Sequence, residues 1–489
     1  MGNRSRPNIV YILADDMGYG DLSCLNEKSK IKTPNFDSIA EKGMKFTDAH
    51  SSSAVCTPSR YSILTGRYNW RSSLKQGVLW GYSPPLIEEG RTTVPSLLKD
   101  FGYRTACIGK WHLGMEWQTL DGRELPDGVD FSAPIKNGPI TRGFDYFYGI
   151  SASLDMPPYV YIENDRLTAL PNRMTACSNY KKFWRKGPTG ADFKHKEVLP
   201  KLTEKVLEKI DEWADEPFFI YFPMPAPHTP ILPSREFRHK TKTNSYGDFV
   251  LMCDDAVGKI LNKLKQIGIE ENTIVIYTSD NGCSPRADFN KLARKGHNPS
   301  YIFRGHKADI YEGGHRIPLL IQWPAAIKAK SVADETVCLI DLMATIADIL
   351  EYGMQDNEGE DSVSNLPLWL GEKPDKPQRE ATVHHSMNGS FSIRKGKWKL
   401  ELCPGSGGWS HPIPGKETEG LPPIQLYDLE VDIGERKNVQ AEYPGIVDEL
   451  KALIIKYIKD GRSTKGEPQK NTGADYWEQL HWMTENDRV

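Results

Sequence analysis

The sequence predicts an α/β fold in which helices sandwich a large mixed, mainly parallel sheet, followed by a smaller C-terminal α+β subdomain with an antiparallel sheet. Three observations carry that prediction. Apolar runs of strand length alternate with amphipathic helical patterns through most of the chain, as βα repeats do. Runs such as 8–13 and 273–278 are almost wholly apolar or β-branched, the mark of strands covered on both faces. Beyond a polar stretch at 352–379, the pattern changes to a hairpin signal followed by one helix. The division expected is a catalytic α/β unit at 1–365 and a smaller unit at 380–489.

Taken in order, 8–13 reads as a buried strand, and Thr33-Pro34 opens a helix that Gly43 closes. A helix at 94–101 ends at Gly102 and leads into a strand at 103–108. Leu202, Val206, Ile210 and Trp213 recur at helical spacing over 199–213, ahead of a strand at 217–222. Another amphipathic helix is expected over 246–267, with Cys253 on its apolar side. The runs 273–278 and 318–322 read as central strands, and 337–350 as a helix packed on the sheet. The stretch 352–379 reads as a linker or surface crossover. Segments 390–393 and 398–402 flank Arg394-Lys395-Gly396-Lys397 as a hairpin, Leu426-Tyr427-Asp428-Leu429 follows, and a helix covers 443–459. Trp477 and Trp482 are candidate docking anchors in a polar tail.

At 489 residues the chain exceeds the size at which one core stops growing. Its formal net charge is −3 with both signs interspersed, so no global field favours nucleic acid or an anionic membrane, and any bound anion needs a local cluster. No run of about 18 apolar residues exists, which excludes a transmembrane helix. Eight cysteines are too sparse for a disulfide scaffold. Cys24, Cys107, Cys177, Cys283, Cys338 and Cys403 show no paired metal spacing and are assigned no chemistry.

The polar residues that call for explanation sit just after predicted strands, at the carboxyl edge where open α/β sheets bind ligands. Asp15-Asp16 follows the first strand, Lys110 and His112 the 103–108 strand, His228 the 217–222 strand, and Asp280-Asn281 the 273–278 strand. Asp15, Asp16, Asp280 and Asn281 form an all-oxygen set, suited to Ca²⁺ or, as the second choice, Mg²⁺. Three carboxylates in one partly buried site need a cation to offset their repulsion.

Cys56-Thr57-Pro58-Ser59-Arg60, followed by Leu64-Thr65-Gly66-Arg67, resembles the pentapeptide of type I, formylglycine-dependent sulfatases of the alkaline phosphatase superfamily. The resemblance extends to Pro34-Asn35-Phe36-Asp37, Gly109-Lys110-Trp111-His112-Leu113-Gly114, Arg142-Gly143-Phe144-Asp145 and Tyr311-Glu312-Gly313-Gly314. It implies an alkaline phosphatase-like fold and a sulfuric ester hydrolase. In that family the cysteine becomes formylglycine through a formylglycine-generating or anaerobic sulfatase-maturating enzyme, and its hydrate is the nucleophile. By the same resemblance, Asp15, Asp16, Asp280 and Asn281 bind one divalent metal together with residue 56. Arg60 and His112 orient the hydrate, with His112 taking its proton; Lys110 and Lys307 clamp sulfate oxygens; His228 and Lys307 assist the leaving alcohol. Ser153 matches more loosely a serine that touches sulfate.

The sequence is similar to bacterial carbohydrate sulfatases, which implies a sulfated saccharide substrate, with an exo-cleaved 6-O-sulfated hexosamine of a glycosaminoglycan as the leading expectation. Asp309, where small or hydroxylated residues are common in the family, reads equally as facing substrate or capping a turn. His297, His384 and His385 are further substrate candidates, and aromatics such as Trp80, Trp111 and Tyr159 could stack on sugars or fill the core. Met1 to Arg6 is short and polar with no signal peptide. The family resemblance implies a periplasmic or secreted protein whose leader lies outside this sequence. Two rival readings stand: a phosphonate monoester or phosphodiester hydrolase of the same superfamily, and an unmatured, non-catalytic binder of sulfated glycans.

Overall fold

The computed structural model describes residues 6–120, 122–372 and 375–487; the polar segment 1–5 lies outside them. The strand Asn8–Asp15 is buried along its whole length. Its side chains alternate between two cores: Ile9, Tyr11 and Leu13 join one apolar cluster, and Val10, Ile12 and Ala14 the other. This two-sided burial is why the run is apolar without a polar alternation.

Five strands form the parallel centre of a ten-stranded sheet. Asn8–Asp15 pairs with Phe218–Pro227 on one side and Thr273–Ser279 on the other, and Arg104–Lys110 and Tyr146–Ile150 continue beyond Phe218–Pro227. Past Thr273–Ser279 the sheet turns mixed. Leu319–Gln322 runs antiparallel to Thr273–Ser279, Met44–Phe46 antiparallel to Leu319–Gln322, and Ser331–Ala333 closes that edge. The expected α/β class with a mixed, mainly parallel sheet is therefore what the chain adopts.

Helices Pro34–Lys42, Val198–Glu212 and Ser245–Gln266 carry one of the two cores, and Cys253 is buried there as expected. Asn244 starts Ser245–Gln266 by accepting hydrogen bonds from the Tyr246 and Gly247 amides, at 2.9 and 3.3 Å. A second sheet of four antiparallel strands, Thr382–His385, Phe391–Lys395, Trp398–Glu401 and Gln425–Asp428, packs its apolar side chains against helix Pro444–Lys459. Lys395 pairs with Trp398, so Gly396-Lys397 is the hairpin turn, with Gly396 at φ +57°. Trp477 and Trp482 join this third core.

Two expectations are corrected. The run expected as one helix over 337–350 begins with the short strand Val337–Cys338 and a 3₁₀ turn, because Val337–Cys338 pairs with Ala49–His50; the α-helix is Leu342–Ile349. The stretch expected as a linker contributes Asp361, fully buried against Arg71 at 2.8 Å, so its acidic composition serves an internal ion pair. All eight cysteines are free thiols. No helix of the described residues is long and apolar enough to cross a membrane.

Candidate active site

Cys56 opens the helix Cys56–Thr65, every residue of which is buried. Val55 provides no side-chain cap, so the first-turn amides and the positive end of the helix dipole remain available to the reacting centre. Burial raises the Cys56 pKa, and Asp15 and Asp280 add to that against the opposing charges of Lys110 and Lys307. A thiol in this setting stays protonated and is a poor nucleophile as it stands.

The carboxyl ends of the central strands deliver the rest. Asp15 ends its strand, and Asp16 takes φ +68°, a left-handed conformation that few non-glycine residues adopt. His112, two residues past the Arg104–Lys110 strand, stands at φ +59°. Gly282, which follows Asn281, could not carry a Cβ: the atom would lie 1.9 Å from the Gly313 carbonyl oxygen. This close approach, with a 2.9 Å bond from the Gly282 amide to the Gly314 carbonyl, fastens the Asp280 loop to the segment that follows Lys307.

Cations and carboxylates interleave. Lys110 Nζ donates to Asp15 Oδ2 at 2.7 Å, and Lys307 Nζ to Asp16 Oδ1 at 2.6 Å. Arg60 donates from Nε and Nη2 to Asp280 Oδ2 at 3.1 and 2.7 Å, and from Nη1 to the Lys110 carbonyl at 2.9 Å. Burial alone would raise the Asp15 pKa, but Lys110, His228, Arg60 and Lys307 together hold it far below the usual carboxylate range. Asp280 goes the other way: burial raises it, and Asp15 and Asp16 add to that against the relief from Arg60 and Lys110. A shared site with one low and one raised carboxylate is short of positive charge.

The oxygens left over say where that charge belongs. Asp15 Oδ1, Asp16 Oδ2 and Asn281 Oδ1 are buried without a hydrogen-bond partner, although Arg60 Nη2 stands 3.7 Å from the first and His228 Nε2 3.6 Å from the second. Asn281 points its amide nitrogen at Asp16 Oδ1, 2.8 Å away, which leaves its carbonyl oxygen free. Asp15, Asp280 and Cys56 present ligand atoms within 4.8 Å of one another, and so do Asp15, Asp16 and His228. An all-oxygen set with orphaned acceptors fits a hard divalent cation.

His112 Nε2 donates to the Leu79 carbonyl at 2.8 Å, so Nδ1 keeps its lone pair, and that atom is buried without a partner. Burial, then Lys110 and Arg60, keeps this imidazole neutral by lowering its pKa well below the usual value. His228 Nδ1 donates to the Thr229 carbonyl at 2.6 Å and turns Nε2 toward Asp16. Cys56, Ser153, His228 and Lys307 line a cavity of about 390 Å³; Arg60, Lys110 and His112 lie wholly buried behind it. A larger cavity of about 1350 Å³, near Arg316, Trp398 and Leu450, holds none of these residues.

The four residues expected to read the sugar are placed elsewhere. Asp309 accepts from the amides of Trp409 and Ser410 at 2.7 and 3.0 Å, from the His306 amide at 2.9 Å, and from the Ser410 hydroxyl. Both of its oxygens are occupied, and it acts as a turn and loop anchor. His297 donates from Nε2 to Asp21 at 2.8 Å and accepts from the Lys30 amide at 3.3 Å. His384 is buried against His315, ring centroids 3.9 Å apart, with Nδ1 donating to the Ser51 carbonyl. His385 is equally buried on the same strand. None of the four lines the cavity. The actual outer wall includes Trp80, Tyr180, Phe183, Arg185, Arg286 and Trp409. Only Trp80 was singled out in the sequence, although Arg286 follows Asp280 by six positions in the same post-strand loop, where such residues are to be sought.

A protein-family model described as Sulfatase matches residues 7–352. N-acetylgalactosamine-6-O-sulfatase of Bacteroides thetaiotaomicron is 33% identical, with 92% of this chain and 93% of that protein covered. Human arylsulfatase A is 31% identical, with 96% and 91% covered. A solved structure described in terms of the metabolism of multiple glycosaminoglycans by Bacteroides thetaiotaomicron superposes with a TM-score of 0.81 at 32% identity, covering 92% of this chain and 99% of that one. The phosphonate monoester hydrolase of Agrobacterium radiobacter reaches a TM-score of 0.60 at 18% identity, a likeness of fold alone.

Proposed function

Because this chain belongs to the sulfatase family and is a sulfuric ester hydrolase, we propose that it removes an O-sulfate from a sulfated carbohydrate, acting from the chain end on a 6-O-sulfated hexosamine of a glycosaminoglycan. The observation that carries the reading is Cys56 on a cavity wall, grouped with buried carboxylate oxygens that lack partners. The names of the relatives that act on N-acetylgalactosamine 6-sulfate support the substrate class.

Oxidised to formylglycine and hydrated, residue 56 would supply a geminal diol as the nucleophile toward sulfur. A divalent cation, Ca²⁺ by our assignment, would be held by Asp15, Asp16, Asp280 and Asn281 and would add positive charge beside the sulfuryl oxygens. Lys110 and Lys307 bring fixed cations to the same place, where charge develops on the sulfuryl oxygens. His228 and Lys307 both line the cavity, and in this reading they protonate or stabilise the departing alkoxide. The free Nδ1 lone pair of His112 is the acceptor for the diol proton during sulfate release.

The test is release of inorganic sulfate from 6-O-sulfated N-acetylgalactosamine and from its 4-O-sulfated isomer, together with a sulfate ester and a phosphodiester of one phenol. Preferred turnover of the 6-sulfate and of the sulfate ester is expected. Preference for the phosphodiester would return the superfamily rival, and binding without turnover by a protein carrying formylglycine would return the non-catalytic one.

A further inference from the structure

The cavity has a second charged region away from Cys56. Strands Pro171–Cys177 and Trp184–Gly190 form a two-stranded hairpin, tied to the body by a bridge between Thr189 and Tyr159. Its tip, 178–183, is drawn onto the cavity rim: the Ile231 amide donates to the Lys181 carbonyl at 2.7 Å, and Lys181 Nζ meets Asp288 at 3.3 Å. The tip and its edge place Tyr180, Phe183 and Arg185 on the wall, where Arg286 joins them from the loop after Thr273–Ser279.

The charges at this rim do not balance. Arg185 is neutralised by Asp155, whose Oδ2 lies 2.5 Å from Nη1, and Lys181 by Asp288. Arg286 has no carboxylate at ion-pair distance among the described residues. Its guanidinium lies 4.6 Å from the Tyr180 ring centre and 5.6 Å from that of Phe183, and its single hydrogen bond among the described residues is a 3.3 Å contact from Nη1 to the Tyr180 carbonyl. Arg185 spans Trp80 and Phe183 in the same way, at 4.8 and 5.2 Å. The aromatic faces fix the plane of Arg286 and leave most of its donor fork without a partner.

We propose that Arg286, positioned by Tyr180 and Phe183, is a second anion subsite, which takes the carboxylate or a further sulfate of the sugar next to the one cleaved. The proposal rests on the sulfatase reading of the same cavity and names its substrates as acidic oligosaccharides carrying at least two anionic groups. A planar fork pairs in bidentate fashion with a carboxylate or a sulfate, and flanking aromatics supply faces for the sugar ring between the two anions.

Binding is read by calorimetry on Cys56→Ala protein, which cannot form the nucleophile, and sulfate release by wild-type protein is read separately. Three disaccharides share one 6-O-sulfated hexosamine: the first has a neighbouring uronic acid, the second its carboxyl-reduced alcohol, the third that alcohol bearing a sulfate. Adding Arg286→Ala should weaken the first or third by roughly ten-fold and the second by less than about two-fold, and the arm that responds identifies the anion. Arg286→Lys should recover part of the loss. Equal weakening of all three, or none, overturns the subsite whatever the release assay shows. Absence of sulfate release from all three by protein containing formylglycine would count against the sulfatase reading and leave the binding result to decide the subsite.

Discussion

Lys307 Nζ lies 2.6 Å from Asp16 Oδ1, and this buried pair leaves the second oxygen of Asp16 without a hydrogen bond. Lys110 does the same to Asp15. Each lysine thus holds one oxygen of a carboxylate in place and leaves the other bare, with the bare oxygen of Asn281 beside them. Two lysines and Arg60 hold the arrangement together, yet burial still pushes the Asp280 pKa upward. Exhaustive chelation should therefore lower the thermal midpoint, and added Ca²⁺ should restore it, by about 2.7 kcal/mol at a hundred times its Kd. Asp16→Asn should blunt that Ca²⁺ response. An unchanged midpoint with and without chelator would refute the site, independently of any activity assay.

Residue 56 gives a sharper test. Protein made with a maturation system should yield a peptide around position 56 that has gained one oxygen and lost H₂S, as conversion of a thiol to an aldehyde requires. Cys56→Ala should lose sulfate release by at least about a thousand-fold, since the covalent route disappears with the nucleophile. Retention of a tenth of wild-type turnover would show that some other group attacks sulfur.

Why the residues of the proposed catalytic set can be read from the sequence and those of the outer cavity wall cannot follows from where each is encoded. Asp15, Lys110, His228 and Asp280 each lie at or just past the carboxyl end of a buried strand, so their convergence is a consequence of parallel pairing. The antiparallel direction of Leu319–Gln322 leaves no such trace, because an apolar run reads the same in both directions. Asp309 and His297 have polarity that suits a ligand, but the atoms that occupy them, the Trp409 amide and Asp21, are 100 and 276 residues away in sequence. No local pattern announces such pairs. The hairpin tip that forms the rim is short and polar, with no periodicity to mark it.

The same distance problem hid Asp361, and it motivates a stability prediction. Asp361 accepts from Arg71 Nε and Nη2, both at 2.8 Å, and from the Tyr68 amide at 2.9 Å, with both ionic side chains fully buried. Asp361→Ala strands the guanidinium without its anion, and removing one partner of a buried pair costs about 3–5 kcal/mol. Denaturant unfolding should show that loss, with Asp361→Asn intermediate. A change below about 1 kcal/mol would mean the Tyr457 carbonyl and Asn471, which also accept from Arg71, suffice alone.

Acid sensitivity should arise from histidines outside the reacting centre. His385 is buried with neither ring nitrogen partnered, and burial pushes its pKa down to about 4 against a small opposing contribution from the Ser386 backbone. Burial likewise lowers His50, His315 and His384, which cluster with Asp48, Glu312, Arg394 and Lys399 around them. In the unfolded chain a histidine binds its proton near pH 6.5. Between that value and the lower folded one, the unfolded state holds more protons, so stability is complete above about pH 6.5 and is lost as the pH falls toward 4. For His385 alone, lowering to about 4 corresponds to about 3 kcal/mol. Unfolding midpoints measured in denaturant at pH 7.5, 6 and 5 should therefore decline steeply, and His385→Leu should flatten the decline whatever it does to the value at pH 7.5. A variant whose stability falls with acid in parallel with wild type would show that His385 is not protonated on unfolding in that range, and would shift the acid response to the cluster of His50, His315 and His384.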